Sequence, residues 1–165
     1  MTKLEILSLV RKFISDEQAT GFTDGGNLEE PEGTNELLSY LDRAVDEYSK
    51  RQANNKDIRL IKRMTFSNGS RLPDNFISFC GVVPLIIEGS IVNFYGEESS
   101  IPVRYFARLP YVTGYNDEDV LPYENDQLIS IAALAAIYAL NKHEFNVSQD
   151  LLLLGYGSGN NGGSE

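Results

Sequence analysis

The apolar positions of this chain form three helical stretches, with a block of alternating positions between the second and the third. Ile6, Val10 and Phe13 recur at helical spacing with Leu7 and Ile14 beside them, and Thr2 with Glu5 fits a capping box. A first helix is therefore predicted over about 3–15. Gly21, Gly25, Gly26, Pro31 and Gly33 then mark a long loop, along which Phe22 and Leu28 are the apolar points that could pin it. Leu37, Leu41, Ala44 and Tyr48, widened by Leu38 and Val45, predict a second helix from about Asn35 to Ala53, where Asn54-Asn55 ends it.

The period then changes from helical to two. Arg59 to Phe66 reads as a strand with Ser67-Asn68-Gly69-Ser70 as its turn, and a short apolar strand follows, ending near Val83. Leu85–Ile87 and Ile91–Tyr95 flank Glu88-Gly89-Ser90, which predicts a tight hairpin. In Val103–Leu109, Val103, Tyr105, Ala107 and Leu109 fall on one face, and Arg104, Phe106 and Arg108 on the other. Short strands joined by tight turns make an antiparallel sheet.

Leu121-Pro122 leads into a third helix over about Tyr123–Lys142. Ala132, Ala133, Ala135, Ala136 and Ala139 leave it almost no polar face, so something must cover it on nearly every side. Ser148 is a plausible N-cap for a short last helix through Leu154, and Gly155 stops it. The expected class is α+β: a small helical bundle of three main helices plus a short C-terminal helix, with an inserted small antiparallel β-sheet at about 59–109. It forms a single domain over 1–154, followed by a flexible Gly/Ser/Asn-rich tail over 155–165. No internal repeat is visible.

Composition sharpens this picture in one respect. With 42% hydrophobic residues the core is ordinary, but the net charge of −10 opposes contact with nucleic acid phosphates. The charge is also segregated. Residues 16–36 hold seven acids and no Lys or Arg, and 109–126 hold five acids and no base, while 59–108 carries six bases against four acids. The uncharged run Gln127–Asn141 falls short of the roughly 20 residues of a membrane span, and the charged start MTKLEILSLVRKF does not read as a secretory signal. Intracellular synthesis of a soluble product is expected, and the sequons at Asn68 and Asn146 are then chance matches.

Candidate chemistry is sparse. The single cysteine, Cys80, lies in the apolar run Phe79–Val83 and reads as a buried inert thiol. The single histidine, His143, sits at a helix C-terminus, where an imidazolium favours the dipole. One of each cannot make a tetrahedral metal site. Asp117-Glu118-Asp119 has the oxygen chemistry for Ca²⁺ or Mg²⁺ but lacks the alternating ligands of a binding loop, so a solvated loop is favoured; the same holds for Glu29-Glu30-Pro31-Glu32. Gly155-x-Gly157-x-Gly159 precedes no helix, so it cannot cradle phosphate. No cofactor and no catalytic residue is expected. The run Leu151–Leu154 with Tyr156 reads either as a last packed turn or as an apolar anchor that adds to a partner's sheet edge.

The opening helix and Asn35-Glu-Leu-Leu-Ser-Tyr-Leu-Asp-Arg-Ala-Val-Asp-Glu-Tyr48 resemble the helical pair of tailed-bacteriophage head-to-tail connector (adaptor) proteins. Arg71-Leu-Pro-Asp-Asn-Phe-Ile77, Tyr105-Phe-Ala-Arg-Leu-Pro110 and Leu121-Pro122 before the alanine-rich helix extend the likeness over about 3–154. The resemblance implies a structural virion protein at the head-tail joint, assembled in the host cytoplasm as a homo-oligomeric ring, typically a dodecamer. Its partners would be the portal protein and a neighbouring connector or tail protein, with no membrane and no sequence-specific nucleic acid. It further implies a C-terminal segment that reaches the portal, here Leu151, Leu152, Leu153, Leu154 and Tyr156. Asp24, Glu29, Glu30, Glu32, Asp117, Glu118 and Asp119 are the acids expected to line a DNA channel without sticking to it. A tail completion or terminator protein is the nearest alternative; a generic adaptor and a small carboxylate-dependent metal hydrolase stand further off.

Overall fold

The computed structural model describes residues 1–19, 34–94 and 100–141. Three helices are present: α1 (Lys3–Ala19), α2 (Thr34–Asn54) and α3 (Asn125–Leu140). Between α2 and α3 run six strands: β1 (Ile61–Ser67), β2 (Ser70–Arg71), β3 (Phe76–Phe79), β4 (Leu85–Glu88), β5 (Ile91–Phe94) and β6 (Ser100–Ala107). Turns of 3-10 helix, Ile58–Leu60 and Val112–Gly114, flank the β block. The chain divides into two compact units, one of residues 1–45 with 111–165 and one of residues 46–110.

In the first unit the predicted capping box is formed. Glu5 N–H donates to Thr2 Oγ1 (3.2 Å) and Thr2 N–H donates to Glu5 Oε2 (2.7 Å). This satisfies the amides that a helix start leaves open. Ile6, Leu7 and Val10 are buried, and α1 packs against α3. A second capping box, not anticipated, starts α3: Glu124 N–H donates to the Gln127 side chain (2.9 Å), while the Glu124 carboxylate accepts from the Gln127 backbone. Nine residues of α3 are buried, among them Ala132, Ala135, Ala136 and Ala139, so small side chains bring neighbouring backbone close on several sides. Asp42 of α2 ties the unit together. Its carboxylate accepts from Val112 N–H (2.8 Å), Thr113 N–H (3.3 Å) and the Thr113 hydroxyl, closing the open end of the 3-10 turn. Arg43 lies over the Tyr138 ring at 4.1 Å from its centroid, a cation–π contact between α2 and α3.

The second unit corrects the expected fold. The β block is not one small sheet inserted into a helical bundle but two three-stranded antiparallel sheets, ordered β1-β6-β3 and β2-β5-β4. The alternating pattern gave each strand an apolar face and left open what would cover it. Here the sheets cover each other: Phe66 and Val103 from the first and Val92 and Phe94 from the second form one buried cluster, with Leu72, Phe79, Val83, Leu85 and Ile101 around it. β6 is paired along both edges, by β1 and β3, so the β4–β5 hairpin takes β2 as its third strand instead. The hairpin turns in two residues, Gly89-Ser90, with Gly89 at φ 64°, a conformation that costs glycine little. Phe106 is buried as well as Tyr105, because the other face of the first sheet carries its own cluster of Ala53, Leu60 and Phe106. The expected short C-terminal helix lies outside the described residues.

The end of α2 shows how helix joins strand. Asp57 N–H donates to Gln52 O (2.9 Å) and Lys56 N–H to Ala53 O (3.0 Å), the paired bonds of a Schellman motif. Lys56 holds the left-handed position at φ 60°, where glycine is the usual residue.

Candidate interaction surfaces

The acidic loop after the 3-10 turn Val112–Gly114, residues 115–121, is built onto the N-terminus of α1. Lys3 Nζ donates to Tyr115 O (3.0 Å) and pairs with Asp117 Oδ1 (3.4 Å). Leu4 N–H donates to Asp117 O (3.3 Å), Leu121 N–H to Met1 O (3.0 Å), and Thr2 bridges Val120 as in an antiparallel sheet. Asp119 folds back on its own loop, its Oδ2 accepting from Asn116 N–H (2.7 Å) and from the Asn116 side-chain amide (2.9 Å). Asp117, Glu118 and Asp119 are thus displayed together on an exposed, hydrogen-bonded loop. Two of the three carboxylates already serve internal bonds. Among the described residues, no three or more His, Cys, Asp or Glu are placed to hold a metal ion.

In the 46–110 unit, the last turns of α2 are held on the segment that follows β6. Ser49, fully buried, accepts from Leu109 N–H through its hydroxyl (3.1 Å). Arg108 Nη1 pairs with Asp46 Oδ1 (3.2 Å) and Arg108 N–H donates to Asn75 O (2.7 Å). An open cleft of about 250 Å³ lies here, lined by Asp46, Lys50, Asp74, Phe76, Ile77 and Arg108. Its charges come as two acids and two bases on a partly apolar floor.

The margin of the second sheet is of another kind. Among the described residues β4 is one of its two edge strands, and the segment leading into it, Val82-Val83-Pro84, follows the turn at Gly81 (φ 96°). Val82 is 104% exposed, and Ile87 on β4 is exposed too. The run Val82–Ile87 has no charged residue, so this margin offers apolar side chains beside the open backbone groups of an outer strand. In the sequence this run is the end of one short apolar strand and the first arm of the hairpin, and periodicity alone does not separate a buried run from an outer one.

Two titratable groups are perturbed. Burial pushes the Cys80 thiol up, partly offset by the Arg104 charge. The hydrogen bonds from Arg59 hold the Asp57 carboxyl below the usual carboxylate range against the opposing effect of burial. Asp57 there caps the 3-10 turn Ile58–Leu60, accepting from Arg59 N–H (2.9 Å) and from its guanidinium (2.7 Å). Both perturbations have structural causes.

Of the residues singled out from sequence, Asp24, Glu29, Glu30, Glu32, His143, Leu151, Leu152, Leu153, Leu154 and Tyr156 lie outside the described residues. No helix among the described residues is long and apolar enough to cross a membrane. In comparisons with known proteins, no family model, no curated protein and no solved structure matches this chain.

Proposed function

We propose that the protein is a non-enzymatic structural component of a tailed-phage virion, a connector whose copies form a ring between the portal and the tail. The order helix, helix, β block, Leu-Pro, alanine-rich helix agrees with the resemblance that suggested this role. The observation that carries the reading is the apolar margin Val82–Ile87, an outer strand with exposed valine and isoleucine on a chain of net charge −10. Natural sheet edges are usually blunted by charge or proline against unwanted pairing; here Pro84 precedes β4, and no charge stands between Val82 and Ile87. A subunit that gains its neighbours during assembly buries such a margin. The tail residues Leu151–Leu154 and Tyr156 are assigned to the portal contact, and the acids Asp24 and Asp117–Asp119 to the channel, where like charge lets DNA slide.

Electron microscopy of the protein mixed with the portal protein of its own virion tests the reading. A ring of this chain stacked on the portal is expected. Val82→Asp with Ile87→Asp should abolish ring closure while leaving the monomer's melting temperature unchanged. Deleting Leu151–Glu165 should leave a folded chain that no longer joins the portal. Portal particles that carry no added density would overturn the proposal, and a truncated chain that still joins would overturn the assignment of the tail.

A further inference from the structure

The β1–β6 ladder sets Arg63 directly opposite Arg104. Opposed residues of an antiparallel pair share a face, and both arginines are exposed. Two like charges in that position oppose the pairing of the strands unless an anion sits between them. Neither guanidinium makes a hydrogen bond or an ion pair among the described residues. One step along the same face, Ile61 opposite Phe106 leads into the apolar cluster with Ala53 and Leu60. The site is therefore a two-arginine fork with an apolar border, on the basic middle of an acidic chain. Paired guanidiniums match carboxylates, which they bind through two parallel hydrogen bonds each.

We infer that this fork is the docking site for the acidic segment Leu28-Glu29-Glu30-Pro31-Glu32 of a second copy of the chain, an inference that rests on the ring reading. Charge complementarity selects the occupant: residues 16–36 hold seven acids with no base to neutralise them. Within that stretch Glu29, Glu30 and Glu32 are the densest group of carboxylates, and Leu28 beside them is apolar like the border of the fork. The donor segment and the acceptor face are different surfaces of one chain. A contact between them is head-to-tail, the kind that repeats around a ring when the rotation closes.

Sedimentation velocity of the full-length protein over a range of concentrations tests this. The wild type should associate at low salt and dissociate as screening rises toward about 1 M salt, where the Debye length falls to about 3 Å. Arg63→Glu with Arg104→Glu should weaken association at least tenfold, and so should Glu30→Lys with Glu32→Lys. Melting temperature and circular dichroism check that both variants fold. An equimolar mixture of the two variants should associate again, because each supplies the charge the other now lacks. A mixture that stays monomeric, or either variant associating like wild type, overturns the inference. A wild type that is monomeric at every concentration overturns it too, including the case where the segment binds its own chain and only melting temperature responds to charge reversal. Ring formation on the portal is read separately by microscopy, so the ring reading survives any of these failures.

Discussion

Replacing Asp42 by alanine should destabilise the 1–45/111–165 unit by about 2–4 kcal/mol. The Asp42 carboxylate is the acceptor for Val112 N–H, Thr113 N–H and the Thr113 hydroxyl. Val112 is fully buried, so the alanine variant leaves its amide without water to replace the lost acceptor. A stranded buried donor costs about 1–3 kcal/mol, and each of the remaining bonds is worth about 0.5–1.5 kcal/mol, less where solvent substitutes. Thr113 is exposed, which places its share at the low end of that range. Urea denaturation followed by circular dichroism reads the loss as a lower midpoint at unchanged slope. Asp42→Asn keeps the shape and one carbonyl acceptor, so it should cost about 1 kcal/mol, mainly the charge assistance. Thr113→Val removes only the hydroxyl bond. Because Asp42→Ala has already lost that bond, the double variant should fall short of the sum of the two, a coupling visible in the cycle. An Asp42→Ala chain within about 0.5 kcal/mol of wild type, or strict additivity with Thr113→Val, would refute the claim that this carboxylate holds the turn.

Two further substitutions test the junction between α2 and the β block. Lys56→Gly should raise stability by about 0.5–1 kcal/mol in the same urea assay, since it removes a side chain from a left-handed residue at the cost of a more flexible unfolded chain; a loss of stability would mean that the lysine side chain holds the Schellman turn. Asp57→Asn should cost less than about 1 kcal/mol at neutral pH, because the Asp57–Arg59 pair is partly open to solvent. The folded pKa of Asp57 lies below its unfolded value, so its contribution is complete above about pH 4 and disappears as pH falls through the folded value. The stability difference between wild type and Asp57→Asn should therefore shrink on acidification, and a difference that grows would reverse the sign assigned to the Arg59 bonds.

The helices were legible because each carries its signal locally. Thr2 and Glu5 announce the cap of α1, and Leu37, Leu41 and Ala44 the buried stripe of α2. The end of α2 was placed near Asn54-Asn55, but the residue that turns the chain is Lys56, which propensity gives no reason to choose. The strands β1, β3, β4, β5 and β6 were legible too, with Val103, Tyr105 and Ala107 buried on one face of β6, whereas the two-residue β2 read as turn and the burial of Phe106 on the other face was not foreseen. Sheet partnership was not. Alternation tells which residues of a strand seek cover, and leaves open whether helix or sheet provides it. That choice depends on Phe66 and Val103 meeting Val92 and Phe94 across the sequence, a long-range match that no local pattern encodes. The Arg63–Arg104 opposition was hidden for the same reason, since it exists only in one register of β1 on β6.

The alanine-rich helix changes meaning once its neighbours are known. From sequence, Ala132–Ala139 could be covered either by the chain's own elements or by other subunits. In the structure Ala132, Ala135, Ala136 and Ala139 are already buried within one copy, with α1 packed alongside. Small side chains here serve close internal packing, and a helix closed in this way has little left to offer a partner beyond single exposed residues such as Ile129. The exposed surfaces on which the proposals rest lie instead on the 46–110 unit: an apolar outer strand and an opposed arginine pair. The two differ in chemistry, so they make different demands. The apolar margin gains by burial whatever the salt, while the arginine fork gains only where a carboxylate arrives and screening is low. If both act in one assembly, salt should slow the joining of copies well before it loosens a ring already closed.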